Sequence, residues 1–556
     1  MSVPSTIVHF VYWHLLPQTV CRLKQLHFSF TNPTVVPMTS RSFVPGLSPA
    51  VRHWTGLLAL LLLWSAPVAS AQSDLLERFE DKVTTFTLDN GLTVVVVERH
   101  DAPVASFATY ADVGSVDEPT GKTGIAHMFE HMAFKGTTTI GTKNIRKEMA
   151  ALQRQEAAYQ ELRRARMSAS ADSARLARLE TQFTEAQSEA ESHIEDGAFE
   201  NILERNGVSD LNAGTSADAT IYRYSLPANK AELFFALESD RFVNPVLREF
   251  YTERDVVMEE RRQRTESSPT GRLVEEFLTT AFKAHPYGNP VIGHMSDLKR
   301  ISRTEAKAFF EKHYTARNMT VGIAGDVDPE RMRDLAEEYF GRLPAGEDPL
   351  PVTTEEPTQQ GERRVLLREQ TQPFLLVGYH RGSRYSEEAP VYNVLSDVLS
   401  GGRTSRLYKR LVETEQMLQV QAIPSFPGNK YPTLFGIFGV PSRGVSADSV
   451  EHVVYEELNA IAENGIRQEE LERAKTRARD QLIGQLDSNL GLALQFAEME
   501  ELTGTWRTVF KNLEALRAVT AEDVQRVAQE TFQRSNRTVA MITTTDDNSQ
   551  PTAAAQ

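Results

Sequence analysis

Residues 124–134 read Gly-Ile-Ala-His-Met-Phe-Glu-His-Met-Ala-Phe. His127 and His131 are four apart. On a helix that spacing puts both imidazoles on one face, one turn apart, where they can converge on one ion. Glu130, three residues from His127, shares that face. Zinc takes neutral imidazoles and in a catalytic site keeps a position open for water. A carboxylate beside that water can take its proton. The pattern is the inverted form, H-x-x-E-H, of the metallopeptidase helix. Two surface histidines beside a solvated glutamate would be the bland alternative. The remaining residues, Ile, Ala, Met, Phe, Met, Ala and Phe, argue against it, because they make the helix largely buried. Buried His and Glu need partners, and a metal supplies them.

Two imidazoles do not complete a catalytic zinc site, so a third ligand is required. The best source is the acidic helix Glu253-Arg-Asp-Val-Val-Met-Glu-Glu260-Arg-Arg. Glu253 and Glu260 are seven apart, on one face two turns apart. Spacing alone does not separate Glu259 from Glu260. Arg254, Arg261 and Arg262 are expected to orient the carboxylates from behind.

Upstream, Thr85-Phe-Thr-Leu, Asp89-Asn-Gly91 and Leu92-Thr-Val-Val-Val-Val97 read as strand, turn, strand. Ala105 to Val113 is a further strand. Downstream, Leu211 to Pro227 is mostly strand, Lys230 to Asn244 and Arg248 to Arg264 are helices, and Thr320 to Ala324 is a strand. Residues 146–200 stand apart. Arg146 to Gln160 and Asp172 to His193 are rich in Ala, Glu, Gln and Arg, and read as an antiparallel pair of exposed helices around a polar turn. Such a pair is either a partner-binding arm or a tolerated surface insertion. A Pro-, Glu- and Gln-rich stretch at 347–362 has a linker's composition. Its two sides look related. Ser302 begins a helix-like run leading to Asn318-Met-Thr-Val321, and Thr520 begins one leading to Asn536-Arg-Thr-Val539, 218 residues later in both cases. That register suggests an internal duplication.

The chain is too long for one core. Its net charge is −15, which disfavours nucleic acid and anionic membrane surfaces as partners. The apolar run Leu57 to Trp64 follows Arg41 and Arg52 and precedes Ala69-Ser-Ala71. This is the pattern of a secretory signal cleaved near Ala71, which implies a periplasmic or secreted protein. Residues 1–37 fit no element, and Met38 is the expected true start. Residues 1–71 hold four Lys/Arg, no Asp/Glu and the only cysteine, Cys21; the remainder carries −19 and no thiol. The tail 546–556 is polar and expected to be disordered.

Gly124 to Thr137 resembles the active-site helix of the pitrilysin/insulinase family of zinc metallopeptidases, particularly its bacterial branch similar to the mitochondrial processing peptidase. Supporting segments are Leu88-Asp-Asn-Gly-Leu92, Leu211-Asn-Ala-Gly-Thr-Ser216, His285-Pro-Tyr287, Tyr314 with Asn318, and Gly325-Asp326. The resemblance implies an α+β fold of two homologous halves. Each is a mainly antiparallel sheet packed with helices, and together they form a clam-like chamber. The first half, 72–346, would contain the zinc site and the helical insertion at 146–200; the second, 363–545, would lack one. It further implies one Zn2+ per chain held by His127, His131 and Glu260, with Glu130 as general base and Glu253 as supporting acid. Asn212 and Ala213 would lie on a strand edge that takes up the substrate backbone, a role open to any exposed sheet edge. The implied activity is hydrolysis of unfolded peptides. The alternative is a non-catalytic peptide-binding or assembly subunit of the same fold.

The second half departs from the family in one place. Relatives often carry an Arg and a Tyr, seven apart, that hold substrate and the scissile carbonyl oxygen. Aligning Ser405-Arg-Leu-Tyr-Lys-Arg-Leu411 puts Val412 and Gln419 there. Neither replaces a guanidinium or phenol as donor to a developing oxyanion. The expected partner is therefore a second family member without the zinc motif, in a heterodimer, with a homodimer as the other arrangement.

Overall fold

A computed structural model describes residues 76–168 and 172–544. The signal segment at 1–71, Cys21, the start at Met38, the turn residues 169–171 and the tail 546–556 lie outside the described residues. Residues 76–80 are helical and belong to a separate unit; from Lys82 onward the described chain is one compact unit.

Among the described residues the strands form two sheets. The first contains β1 (Val83–Thr87), β2 (Thr93–Glu98), β3 (Val104–Ala111), β4 (Ser209–Thr215), β5 (Thr220–Pro227) and β6 (Met319–Gly325), in the order β1-β2-β6-β3-β5-β4. The second contains β7 (Arg363–Glu369), β8 (Phe374–Arg381), β9 (Met417–Phe426), β10 (Thr433–Pro441) and β11 (Arg537–Thr544), in the order β7-β11-β8-β10-β9. Removing β1 makes the two orders identical. The strand senses match as well: β2 runs parallel to β6 and β7 parallel to β11, and the other neighbours are antiparallel.

Nine of the helices matter here. They are α1 (Ile125–Met132), α2 (Ile145–Met167), α3 (Ser173–Glu191), α4 (Phe250–Arg261), α5 (Pro269–Ala281), α6 (Arg303–His313), α7 (Ala389–Ser400), α8 (Asn489–Thr503) and α9 (Ala521–Thr531). The duplication expected from the 218-residue register extends to single hydrogen bonds. Ser302 caps α6 and Thr520 caps α9, each in a reciprocal capping box with the acid three residues on. Asn318 Nδ2 donates to the carbonyls of His313 and Asp112, and Asn536 Nδ2 donates to those of Thr531 and His380. Each asparagine thereby staples the end of its helix to the strand beside it.

The halves also exchange helices. α5 follows the first half's ligand helix but packs on β7, β8 and β11 of the second sheet. α8 belongs to the second half and packs on β2, β3 and β6 of the first. Both start on a serine cap, Ser268 onto the Gly271 N–H and Ser488 onto the Gly491 N–H. Gly322 on β6 allows the approach: a Cβ there would lie 2.0 Å from the Ala493 carbonyl oxygen, so the helix backbone rests on the strand backbone. Leu273, Phe277 and Ala281 are buried in one cluster with Leu376, Phe438 and Ala540. One hydrophobic core is therefore built from both halves.

The expected strands and helices around the zinc motif are found within a few residues of the bounds read from the sequence. The expectation for 146–200 needs correction. α2 and α3 do form an antiparallel pair, but the pair does not stand apart: Ala151, Leu152, Gln155, Tyr159, Leu162 and Ala165 of α2 are buried. The polar composition conceals a packed stripe. No helix or strand lies between Gly341 and Arg363. The Glu356 carboxylate in that stretch accepts the backbone N–H groups of Lys283, Ala284 and His285 and so ties the segment to the first half.

Candidate metal centre

α1 turns its apolar side inward. Ile125, Met128, Phe129 and Met132 enter the first core, where the Phe129 ring stacks on Phe310 at 4.4 Å and lies 4.3 Å from Tyr314. His127, Glu130 and His131 occupy the other face. The first turn of α1 has no capping side chain of its own, because its cap residue is Gly124 with φ 91°. The carboxylate of buried Glu118 serves instead, accepting the N–H of Gly124 at 2.8 Å and of Ala126 at 2.9 Å. The carboxylate also suits the positive end of the helix dipole.

α4 packs against α1. It brings Glu260 Oε2 to 3.7 Å from His127 Nε2 and 3.6 Å from His131 Nε2. The imidazole rings meet edge to face with centroids 5.0 Å apart. Among the described residues these three side chains form the one group able to share a metal ion, with ligand atoms all within 4.8 Å of one another. Tetrahedral zinc with ligand bonds near 2.0–2.1 Å needs ligand atoms about 3.4 Å apart. Glu260 Oε2 is buried and has no hydrogen-bond partner. A buried carboxylate oxygen without a donor, facing two imidazole nitrogens at nearly that spacing, fits a zinc ion.

The structure separates the two adjacent glutamates. The Glu259 side chain is 54% exposed and paired with Arg262, whereas that of Glu260 is 14% exposed. Glu253 accepts from His131 Nδ1 at 3.3 Å and so orients the ring that presents Nε2 to the cluster. The expected support from Arg254, Arg261 and Arg262 is not found. Arg254 binds Tyr159 Oη and the Ile301 carbonyl, Arg261 binds the Gly293 carbonyl and Glu275, and Arg262 binds Glu259. Residues next to a helical ligand point about 100° away from it, so they face other partners. The supporting cations are two that sequence reasoning missed. Lys135 Nζ lies 2.6 Å from Glu253 Oε1, and Arg264 Nη1 lies 2.7 Å from Glu260 Oε1. Their only sequence signal is the four-residue spacing from His131 and from Glu260.

Glu130 is buried beside the cluster. Thr215, at the end of β4, donates its hydroxyl to Glu130 Oε2 at 2.9 Å. Burial pushes the Glu130 carboxyl up from its ordinary range. Burial pulls His127 down to about 4, favouring the neutral ring that ligates metal. Burial also acts against a charge on His131, but the carboxylates of Glu253 and Glu260 outweigh it and raise this ring to about 9. Burial raises Glu260 too, yet His131, His127 and Arg264 bring it down to about 2. Asn212 and Ala213 lie on β4, the outermost strand of the first sheet, paired with Arg223 and Tyr222 of β5. In the second half, Val412 packs against the apolar core and Gln419 lies on β9, the outermost strand of that sheet.

Two protein-family models match the chain. Insulinase (Peptidase family M16) matches residues 93–179 and 187–294, and the Peptidase M16 inactive domain matches residues 300–478. The chain is similar to zinc protease PqqE of Helicobacter pylori, with 27% identity over 508 residues that cover 89% of this chain and 99% of that protein. It is also similar to the uncharacterized zinc protease ML0855 of Mycobacterium leprae, with 27% identity covering 80% of this chain and 88% of that protein. Among solved structures, a protease from Helicobacter pylori superposes with a TM-score of 0.69 at 25% identity, covering 83% of this chain and 99% of that one.

Proposed function

The chain belongs to the insulinase family of peptidases, family M16, and on that premise we propose that it is a zinc-dependent endopeptidase that hydrolyses unfolded peptides or oligopeptides. The observation that carries the reading is the convergence of His127 Nε2, His131 Nε2 and buried, partnerless Glu260 Oε2 beside a buried glutamate. The second family model covers a stretch that contains none of these residues.

His127, His131 and Glu260 would hold the zinc, and Glu253 would fix the His131 ring. Zinc bound there would supply Lewis acidity. Glu130 does the proton transfer. Thr215 holds the carboxylate through Oε2, and the carboxylate takes the proton of an attacking water and returns it to the leaving amine. Asn212 and Ala213 on the outermost strand would align an extended substrate by strand addition. The direct test is hydrolysis of a peptide library by the full chain, with and without chelator, for wild type and Glu130→Gln. A fall in kcat/KM of about 10²–10⁴-fold with zinc retained is expected for Glu130→Gln. Activity indifferent to both treatments overturns the proposal.

Val412 and Gln419 favour a second element of the reading. The second half brings no guanidinium or phenol at those positions, so a second family member without the zinc motif would supply them in a heterodimer; a second copy of this chain, with the same Val412 and Gln419, would not. Peptide cleavage by the chain alone at the rate of its mixture with such a partner overturns this element. The apolar run Leu57 to Trp64 and Ala69-Ser-Ala71 support a periplasmic or secreted location. N-terminal sequencing of the mature protein tests it, with Gln72 expected as the first residue.

A further inference from the structure

Glu253 and Glu260 occupy one face of α4. The opposite face is held by the helix pair α2–α3. Tyr251 donates its hydroxyl to Glu156 Oε2 at 2.6 Å. Arg254 donates to Tyr159 Oη at 2.8 Å, with its guanidinium beside the packed Tyr159 and Tyr251 rings, 5.0 and 4.9 Å from their centroids. Thr252 donates to Glu191 at 2.8 Å and accepts from Gln187 at 2.9 Å, which brings in α3. The start of α4 is tied just as firmly. Arg248 is fully buried and pairs with fully buried Glu148 of α2 at 2.8 Å. Its other nitrogens donate to the carbonyls of Lys135, Thr137 and Ile140, in the loop that leaves α1. One guanidinium thus joins the helix with two ligands, the helix with the third, and the helix pair.

A surface insertion has no need of a fully buried ion pair. Such a pair is costly to desolvate, and separating its partners would leave an uncompensated buried charge, so it holds α2 and the start of α4 together. The fully buried polar contacts of α2 run to Arg248 and Arg254, while Tyr159 also donates to the Lys299 carbonyl and Arg163 pairs with Glu305 of α6. We propose that α2–α3 is a positioning brace for the metal centre: it presses α4 toward α1 and so fixes the place of Glu260. This rests on the zinc-ligand reading above. Glu148, Glu156 and Tyr159 are positioning residues, acting through α4 without touching the ion or the substrate.

The test uses the full chain with Glu156→Ala and Tyr159→Phe combined, two changes that loosen the back of α4 and leave the Glu148–Arg248 pair intact. Zinc affinity is measured by competition with a chromophoric chelator, and the cobalt-loaded protein gives the visible spectrum of the ligand set. Zinc affinity weakened about tenfold is expected, with an altered cobalt spectrum and an unchanged circular dichroism spectrum. The control Arg166→Ala with Glu180→Ala cuts an exposed ion pair within α2–α3 and is expected to bind zinc as wild type does. Wild-type affinity in the folded double variant overturns the brace, as does equal weakening in the control. If the double variant does not fold, Tyr159→Phe alone decides in the same way, with a threefold loss expected. A wild-type chain that takes up no zinc refutes the metal reading itself, an outcome distinct from failure of the brace.

Discussion

The two halves repeat one another in strand order, strand sense and the Asn318 and Asn536 staples, yet they part company at α1 and α7. Both helices lie against an outermost strand, β4 or β9, and against a capped helix, α6 or α9. In α1 the face toward the ligand helix holds His127, Glu130 and His131. In α7, Val391, Tyr392, Val394, Leu395, Val398 and Leu399 are buried, and the acid Asp397 is paired with Arg477. The second half is therefore complete without a metal cluster. Among the described residues the second half thus builds this architecture with no such cluster, and under the proposed function an ion in the first half would serve chemistry and not folding. A structural zinc would instead be closed by four ligands and would have no use for a carboxylate beside it.

The comparison can be broken by stripping the metal. The account expects chelation to lower peptide hydrolysis by at least about 10³-fold, while circular dichroism shows both halves still folded. Loss of the native spectrum on chelation would show that the cluster is structural. A second probe asks whether the halves are joined through the exchanged helices. Phe277 of α5 is fully buried against the second sheet, so Phe277→Ala should cost about 3–5 kcal/mol in denaturant unfolding. A loss below about 1 kcal/mol would mean that this contact does not join them.

The exchanged helices also differ from each other. Glu501 near the end of α8 accepts the Thr320 hydroxyl at 2.6 Å, where the equivalent position in α5 is Ala281. Burial pushes the Glu501 carboxyl up to about 7 from an ordinary 4.5. The neutral form is therefore favoured on folding. Its contribution to stability is fullest below pH 4.5 and is lost as pH rises through about 7, by roughly 3 kcal/mol. Glu501→Gln should remove that decline, and chemical denaturation at pH 5 and pH 8 checks it. An equal pH dependence in wild type and variant would show that Glu501 titrates normally. The smallest expected effect lies inside the site. Thr215→Val should lower kcat about tenfold with KM unchanged, and Thr215→Ser should restore it. Equal kcat for wild type and Thr215→Val would show that the hydroxyl does not aim Glu130.

Much of this was legible in the sequence because it depends on local spacing. The four-residue interval of the histidines, the apolar residues around them and the 218-residue register each survive into the structure. What spacing could not decide was set by tertiary contacts. Glu259 and Glu260 are neighbours in sequence and part only when α4 packs on α1. Glu118 caps α1 from six residues upstream of Gly124, in a loop that carries no helix signal. Lys135 and Arg264 read as ordinary surface cations until they meet Glu253 and Glu260. The buried stripe of α2 is diluted by Arg, Glu and Gln, and nothing local in α5 or α8 shows that each lies on the other half's sheet.

The most direct measurement of the central claim is the zinc content of the purified full chain by elemental analysis, with peptide hydrolysis on the same samples, for wild type and Glu260→Ala. The account predicts one zinc per chain and metal-dependent cleavage in the wild type, with both lost in a folded Glu260→Ala protein. A variant that keeps its zinc and cleaves like the wild type, or a wild type that holds no zinc, would contradict it.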